Sequence, residues 1–282
     1  MRARWLRATI LGCGSSGGVP RADGDWGDCN PANPKNRRRR CSLLIEGAAS
    51  EAQLDAGPVT RVIIDTSPDL REQALSAGIT TLDAVLLTHD HADQTHGMDD
   101  VRPYALRARR RMPVHMSSET QASIIQRFAY AFVSRPGSAY PAILDAQILP
   151  DWGDETLIEG PGGAVSVRAF EVGHGRINAT GYRVGPFAYT PDVNAVPDAA
   201  FDVIAGAEVW IVDALRETPH PTHASVSDAL GWLERSGVTQ GVLTNLHVDL
   251  DYDALSARLP DGVSPAYDGR RLVADPNLEI SG

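Results

Sequence analysis

A short apolar segment that runs directly into a cluster of histidines and aspartates constrains this chain more than any other feature. Residues 82–87 have the length and the composition of a buried β-strand. They are followed by the stretch Thr88-His89-Asp90-His91-Ala92-Asp93-Gln94-Thr95-His96-Gly97. Polar side chains directly after a buried strand lie at the rim of a sheet, where α/β proteins place their ligand sites. We therefore expect a functional site at the edge of a β-sheet.

The spacing inside this cluster indicates metal binding. His89, His91 and Asp93 are each two residues apart, so an extended backbone would place their side chains on one side. Imidazole nitrogens and carboxylate oxygens are ligands that suit zinc, iron or manganese. A histidine-rich surface loop is the alternative interpretation, and the buried strand before the cluster disfavours it. The sequence therefore predicts a divalent metal site.

Most of the other histidines also follow predicted strands. Of the 8 histidines in the chain, His115 lies inside a predicted strand. The histidines that follow strand ends are His89, His91, His96, His174, His220, His223 and His247. Several of them have an aspartate nearby, among them Asp192 and Asp213. Because strand ends converge in an α/β fold, we expect one site assembled from separate segments.

Helix and strand patterns alternate along the chain, which predicts an α/β fold. No linker, composition shift or repeat divides the chain, so we expect one domain over residues 1–282. Residues 119–132 form a predicted amphipathic helix, and residues 134–150 are rich in Pro, Gly and Tyr. The region at about 113–150 is therefore predicted to be an irregular or helical cap.

Charge and cysteine content restrict the partners and the compartment. The formal net charge is −10, which disfavours polynucleotide binding because phosphate backbones select basic surfaces. Three cysteines, an odd number without a pairing pattern, favour a reducing compartment. The apolar residues 8–11 are fewer than the roughly 7–15 that a signal peptide needs, and no window approaches a membrane span of about 20 apolar residues. We expect a cytoplasmic protein without a membrane partner.

The motif residues resemble those of a known superfamily. Thr88-His89-Asp90-His91-Ala92-Asp93, followed by His174, Asp192 and His247, resembles the metallo-β-lactamase superfamily in order and spacing. Three further segments, residues 11–17, 213–223 and 244–247, are similar to the phosphodiesterases that act on phosphoribosyl cyclic phosphate in phosphonate breakdown. The layout of that branch is similar to that of the tRNA 3′-processing nucleases. The resemblance covers nearly the whole chain and implies a four-layer αββα sandwich with one or two metal ions at the sheet edges.

The resemblance also implies roles for individual residues. The first metal would be held by His89, His91 and His174, and Asp192 would bridge to a second metal, which Asp93 and His247 would complete. Asp93 would thereby belong to the catalytic residues as well as to the ligands. His223 falls where the branch keeps a histidine that protonates the leaving group. Zinc and manganese are the expected metals, at one or two ions per chain.

Two features depart from the family pattern. The residue after Asp93 is usually a histidine, and here it is Gln94, whose neutral amide is a weaker metal ligand. His96 could substitute for it or contact the substrate, and His220 has no assigned role. The branch also holds a structural zinc, largely through clustered cysteines, whereas here Cys29 is followed by Asn30. We predict that this zinc is absent and that Cys29 is a packed or exposed thiol.

The leading hypothesis is a metal-dependent hydrolase of small phosphodiesters, such as a cyclic ribose phosphate or a nucleotide. Metal-bound hydroxide would be the nucleophile and His223 the general acid. The alternatives are a hydrolase of another bond, such as a thioester or lactone, on the same fold, or a ligand-binding module with a degenerate metal site. The expected partner is a small anionic substrate carrying phosphate rather than a polynucleotide, and a homodimer is left open.

Overall fold

Two mixed β-sheets form the centre of the molecule. The structure, a computed structural model, describes residues 1–134, 136–137 and 139–273. The first sheet contains β1 (Trp5–Gly12), β2 (Ser42–Ala48), β3 (Thr60–Ile64), β4 (Ala84–Leu86), β5 (Met112–Met116), β6 (Leu144–Ile148) and β14 (Arg271–Val273). The second contains β7 (Glu155–Ile158), β8 (Val165–His174), β9 (Ile177–Val184), β10 (Phe187–Thr190), β11 (Val209–Asp213), β12 (Gln240–Thr244) and β13 (Val263–Pro265).

Each sheet has an antiparallel half and a parallel half. In the first sheet the order is β14-β1-β2-β3-β4-β5-β6, and the pairs from β3 to β6 are parallel. In the second the order is β13-β12-β11-β10-β9-β8-β7, and the pairs from β10 to β13 are parallel. Parallel strands present their carboxyl ends at one edge, so the segments after β4, β10, β11 and β12 emerge where a site can be assembled.

Helices connect the strands and cover the outer faces of the sheets. They are α1 (Glu51–Ala56), α2 (Leu70–Ala77), α3 (Ala92–Thr95), α4 (Arg102–Ala108), α5 (Ser118–Phe132), α6 (Asp198–Ile204), α7 (Val226–Ser236) and α8 (Tyr252–Ser256). Two 3₁₀ turns lie at Pro34–Asn36 and Met98–Val101. Helix α7 begins with a capping box between Ser225 and Asp228, which satisfies backbone donors that a helix start leaves unpaired.

The alternation of side chains in β11 shows how the layers pack. Val209 and Ile211 lie in the hydrophobic cluster between the two sheets. Trp210 and Val212 point the other way, into the cluster beneath the helices that cover the second sheet. A third cluster lies between the first sheet and its helices and includes Ile124 of α5. The architecture is the predicted four-layer αββα sandwich.

Two local predictions were wrong. Residues 134–150 are not an irregular cap throughout, because Leu144–Ile148 is strand β6, which pairs parallel with β5 and continues the first sheet. Its sequence, Leu-Asp-Ala-Gln-Ile, lacks the apolar run of a buried strand because it lies at the sheet edge. The prediction that His89, His91 and Asp93 lie on one extended segment is also wrong, because helix α3 begins at Ala92. The prediction of one domain over residues 1–282 stays a prediction, because residues 274–282 lie outside the described part.

No helix in the described part of the chain combines the length and apolar composition needed to cross a membrane.

A buried hydrogen bond joins the two sheets: the hydroxyl of Tyr182, on β9, donates to the carbonyl of Leu87 at 2.6 Å. Tyr189, on the neighbouring strand β10, is equally buried, and its hydroxyl has no hydrogen-bond partner among the described residues.

These two tyrosines provide a matched test of the contact between the sheets. Tyr182→Phe should lower the free energy of unfolding by about 1–3 kcal/mol, because it leaves a buried carbonyl unpaired. Tyr189→Phe removes a buried hydroxyl that makes no hydrogen bond and should be neutral or stabilising. Urea unfolding of both variants measures the difference. Equal losses in the two variants would contradict this assignment.

Candidate metal centre and active site

Three histidines from two strand ends meet in one cluster. His89 and His91 lie in the segment between β4 and α3, and His174 ends β8. Each offers one ring nitrogen within 4.8 Å of the others. His174 Nε2 and His91 Nδ1 are 3.3 Å apart, and two nitrogens on one tetrahedral zinc at about 2.0–2.1 Å are separated by nearly this distance. The geometry of these three residues fits one metal ion.

A buried hydrogen-bond chain sets the tautomer of His89 when Asp65 is ionised. Thr88 Oγ1 donates to Asp65 Oδ2 at 2.9 Å and lies 2.9 Å from His89 Nδ1. When Asp65 is ionised it can only accept, so the Thr88 hydroxyl accepts from His89 Nδ1–H and the lone pair is left on Nε2. His89 Nε2 is buried without a hydrogen-bond partner among the described residues. A buried ring nitrogen without a partner among the described residues, facing two other imidazoles, is the observation that best fits a bound cation.

His174 is held in the same ligand form from outside the cluster. Its Nδ1 lies 2.6 Å from the carbonyl of Thr222 and donates to it, so Nε2 carries the lone pair. Burial, with the nearby His223 as the next cause, lowers the pKa of His174 to about 4. Burial and the neighbouring His174 also lower the pKa of His89 well below its usual value. Both rings are therefore neutral near pH 7, the state in which imidazole binds metals.

Asp192 joins this cluster to a second group of potential ligands. It follows β10 and lies with His174 and His223 in a group whose ligand atoms are all within 4.8 Å of one another. Burial, followed by the charges of Asp93 and Asp213, raises the pKa of Asp192 well above its usual value. Gln94 Nε2 donates to Asp192 Oδ2 at 2.7 Å. The buried Oε1 of Gln94 has no hydrogen-bond partner among the described residues.

His223 is oriented by a buried carboxylate. Its Nδ1 lies 2.8 Å from Asp213 Oδ2, at the end of β11. Asp213 is 0% exposed and also accepts from the backbone of Val193 at 3.0 Å and from Asn245 Nδ2 at 3.1 Å. Burial raises the pKa of Asp213, and its hydrogen bond with His223 opposes that rise. With Nδ1 held by Asp213, His223 Nε2 is the ring atom available to exchange a proton with a ligand.

The residues expected to complete a second metal site are not brought together in this way. Of the described residues, Asp93 and His247 belong to neither group of potential ligands. Asp93 lies in α3, close enough for its charge to raise the pKa of Asp192. His247 follows β12, and its Nε2 is 2.6 Å from Arg21 Nη2.

His96 and His220 take different positions. His96 follows α3, and its ring packs edge-on against Phe128 of α5 with 5.6 Å between centroids. That contact turns it towards a helix rather than towards the metal cluster. His220 lies beside His223 with 5.2 Å between ring centroids, and its Nδ1 is 3.2 Å from Thr222 Oγ1. It lines a polar cavity together with His223.

A polar cavity of about 260 Å³ opens next to the histidines. Its lining residues are Ser15, Ser16, Gly17, Arg21, Leu215, Arg216, His220, His223, Asn245 and His247. The glycine-containing segment after β1 reaches this cavity because Gly14 pairs with Leu246 in an isolated bridge, and Leu246 N–H donates to the carbonyl of Cys13 at 2.8 Å. The cavity is sized for a small polar ligand.

The arginine run at residues 37–40 contains both buried and ion-paired side chains. Arg39 pairs with Asp268 at 2.9 Å and Arg40 with Asp69 at 3.2 Å. Arg38 is 2% exposed. Together with Arg21, the run lines a larger groove of about 660 Å³.

Buried Arg38 supports the segment that carries His247. Its guanidinium donates to the carbonyl of His247 at 3.3 Å and to that of Leu250 at 2.7 Å. The same group contacts Cys29 Sγ at 3.7 Å, and Cys29 packs with Val248 in a small buried cluster. Cys29 is thus a packed thiol, one of the two roles expected for it.

The sequence did not reveal the roles that several residues have in the site. Asp65, Asp213 and Asn245 act on histidines through hydrogen bonds, and Arg21 contacts His247. Asp213 gave a usable signal, because it ends β11 just as Asp192 follows the adjacent β10. Asp65 also follows a strand. Arg21 gave no signal, because it lies in a long loop whose approach to the site is set by tertiary packing.

Comparison with known proteins identifies the family of this chain. Residues 60–245 match the family model of the β-lactamase superfamily domain. An octanoyltransferase of Porphyromonas gingivalis (strain ATCC BAA-308 / W83) is 31% identical over 273 residues, which are 96% of this chain and 52% of that protein. The chain thus spans about half the length of this curated relative.

Solved structures give the same fold. A crystal structure described as a new diphosphatase from the PhnP family is 31% identical, with a TM-score of 0.81 over 96% of this chain and 98% of that one. Zn²⁺-bound PqqB from Methylobacterium extorquens is 17% identical, with a TM-score of 0.69 over 94% and 99% of the two chains. Human tRNase Z, short form, is 16% identical, with a TM-score of 0.61 over 94% and 98%. The last two likenesses concern the fold alone. The chain belongs to the metallo-β-lactamase superfamily.

Proposed function

We propose that this protein is a metal-dependent hydrolase of small phosphodiesters, such as a cyclic ribose phosphate or a nucleotide. The observation that carries the proposal is the position of a proton-donating pair beside the metal cluster. His223, oriented by Asp213 at 2.8 Å, has its ring centroid 4.8 Å from that of His174. Similarity to a protein described as a diphosphatase from the PhnP family supports chemistry at a phosphoryl group.

His89, His91 and His174 would hold the divalent metal, with Asp192 beside them. Three imidazoles and a carboxylate suit zinc, and manganese is the second candidate. A metal ion in such a site lowers the pKa of bound water to about 7 and offsets negative charge that develops on phosphoryl oxygens. The hydrogen-bond partners Asp65, through Thr88, and the carbonyl of Thr222 would keep two of the rings in the ligand tautomer.

His223 and Asp213 would act on the leaving group of the substrate. His223 Nε2 would give a proton to the departing oxygen, and Asp213 would hold the ring in position and stabilise its charged form. Asn245 and the backbone of Val193 would hold the carboxylate of Asp213 in turn. Arg21 and Arg216 line the same cavity and would attract an anionic substrate.

The alternative reactions make less use of these residues. A thiolate leaves a thioester without needing a proton, so the His223–Asp213 pair would have less purpose in a thioester hydrolase. A ligand-binding module with a degenerate metal site would have no use for the hydrogen bonds that orient His89 and His174. The activity named for the octanoyltransferase is not transferred to this chain, because the chain covers 52% of that protein.

The cysteines and the net charge support two further parts of the proposal. Three buried free thiols, Cys13, Cys29 and Cys41, support a cytoplasmic location. The net charge of −10 supports a small phosphate-containing substrate rather than a polynucleotide. Formation of a homodimer stays a prediction.

The first functional test uses one histidine inside the metal cluster and one outside it. Purified protein supplied with zinc or manganese should hydrolyse bis(p-nitrophenyl) phosphate. His89→Ala should lose this activity because it removes a ligand, whereas His115→Ala, in β5, should retain it. Release of nitrophenolate measures both rates. Absence of turnover with every divalent metal tested would refute the proposal.

The second test separates proton donation by His223 from a structural effect. His223→Ala should lower kcat about 10²–10⁴-fold for a 2′,3′-cyclic nucleotide, whose alkoxide leaving group needs a proton. The same variant should lose much less on the aryl diester, because nitrophenolate leaves without protonation. Asp213→Asn should give the same pattern with a smaller loss. Equal losses on both substrates would contradict the role of His223 as general acid.

The third test concerns the chain from Asp65 to His89. Burial raises the pKa of Asp65 to about 8, against the opposing hydrogen bonds from Thr88. The metal-free protein therefore holds a proton on Asp65 at pH 7. A cation on His89 Nε2 would favour the loss of this proton. Zinc binding at pH 7 should release this proton, so the affinity for zinc should rise with pH up to about 8 and then level off.

Calorimetry in buffers of different ionisation enthalpy measures the number of protons released. Asp65→Asn should abolish the release assigned to Asp65. Its amide donates to Thr88, which turns the hydroxyl towards His89 Nδ1 and places the ring proton on Nε2, so zinc affinity should fall about 10–100-fold. A release that is unchanged in Asp65→Asn would refute the linkage.

A further inference from the structure

We propose that this centre holds a single metal ion and that the guanidinium of Arg21 supplies a second positive charge to the active site. Paired metal centres are expected for the family, and a second ion here would need Gln94, Asp93 and His247 beside Asp192. The inference rests on the proposed function in one respect, which is that the anion facing Arg21 is a phosphoryl group.

His247 is already used by a cation. Its Nε2 lies 2.6 Å from Arg21 Nη2. A guanidinium has five N–H donors and no acceptor, so His247 must accept this hydrogen bond with its lone pair. The same lone pair cannot also coordinate a metal. Asp249 Oδ2 lies 2.8 Å from His247 Nδ1 and provides a negative charge on the other side of the ring. Arg21 thus takes the position at His247 that a metal ion would take.

Gln94 offers a second metal ion only a weak ligand atom. It stands where the family pattern has a histidine, and it is 1% exposed, so its side chain has little freedom to rearrange. Its Nε2 donates to Asp192 Oδ2 at 2.7 Å, which engages the carboxylate oxygen that a bridging ligand would share. Its remaining atom, Oε1, is a neutral amide oxygen and a weak ligand for zinc. His247 and Gln94 are therefore poor ligands for a second metal ion, and only Asp93 and Asp192 remain to hold it.

Arg21 is placed to meet a substrate. It lines the active-site cavity together with His223 and His247, and it also lines the larger groove beneath the arginine run. Its side chain lies over Gly17, where an added Cβ would be 3.5 Å from Arg21 Cγ. The side chain is 41% exposed and pairs with Asp25 at 3.1 Å. Each terminal nitrogen of the guanidinium keeps a second N–H beyond its contact with Asp25 or His247, so Arg21 can still donate to phosphoryl oxygens.

Metal content tests the first half of the proposal. Wild-type protein equilibrated with excess zinc or manganese, then freed of unbound metal, should contain one equivalent per chain. The double variant Gln94→His/Arg21→Ala restores a histidine and frees His247, so it should contain two. Two equivalents in the wild type, with anomalous scattering from a metal on His247, would overturn the proposal. One equivalent in both proteins would overturn the assignment of Arg21 and Gln94 as the residues that together exclude the second ion.

Binding of inorganic phosphate to the zinc-loaded protein tests the second half. Arg21→Ala should weaken phosphate binding at least 10-fold by calorimetry, with metal content unchanged, and Arg21→Lys should recover part of the affinity. The control is Arg71→Ala, because Arg71 lies on α2, paired with Glu72 at 2.7 Å. Equal phosphate affinity in wild type and Arg21→Ala would overturn the role of Arg21.

These two readouts are independent of turnover. If no phosphodiester is cleaved while metal content and phosphate binding behave as expected, the proposed function fails and this inference stands. If phosphodiesters are cleaved by a protein with two ions and no dependence on Arg21, the inference fails and the proposed function stands.

Discussion

Ionisable groups that are withdrawn from water depend on hydrogen bonds or on a cation, and this constraint organises the edge where the two sheets meet. Burial lowers the pKa of His89 and His174 and raises that of Asp192 and Asp213. Hydrogen-bond partners oriented by the strand ends keep the imidazoles and carboxylates in defined states. The β-sheets therefore determine the chemistry of the site through the positions at which their strands end.

The sequence was most informative where the ligands are close together in the chain or lie at strand ends. His89 and His91 are neighbours in one motif, and His174 ends a strand with a clear apolar alternation, so their cluster could be predicted. Asp93 shows the limit of the same reasoning. Residues spaced two apart do not show where an extended segment ends and a helix begins. Here the helix begins at Ala92, before Asp93. Strand β6 was missed because an edge strand can be polar.

The two halves of the predicted metal centre differ in how they are built. The first half uses Thr88, the direct neighbour of His89, and Thr222, which lies 48 residues after His174 in the connection between β11 and α7. The second half would use His247, whose surroundings include Arg21 from a loop more than 200 residues away. Contacts between distant loops are not encoded in any local pattern, which is why Gln94 alone signalled a difference and Arg21 did not.

Arg38 has a consequence for how this protein responds to its surroundings. Its buried guanidinium ties the early loop to the carbonyls of His247 and Leu250, in the part of the chain where the related phosphodiesterases would use zinc and cysteine thiolates. Thiolate clusters are lost by oxidation or by metal exchange, whereas a guanidinium undergoes neither reaction. The loop that carries His247 is therefore ordered by a group that is indifferent to oxidants and to metal supply.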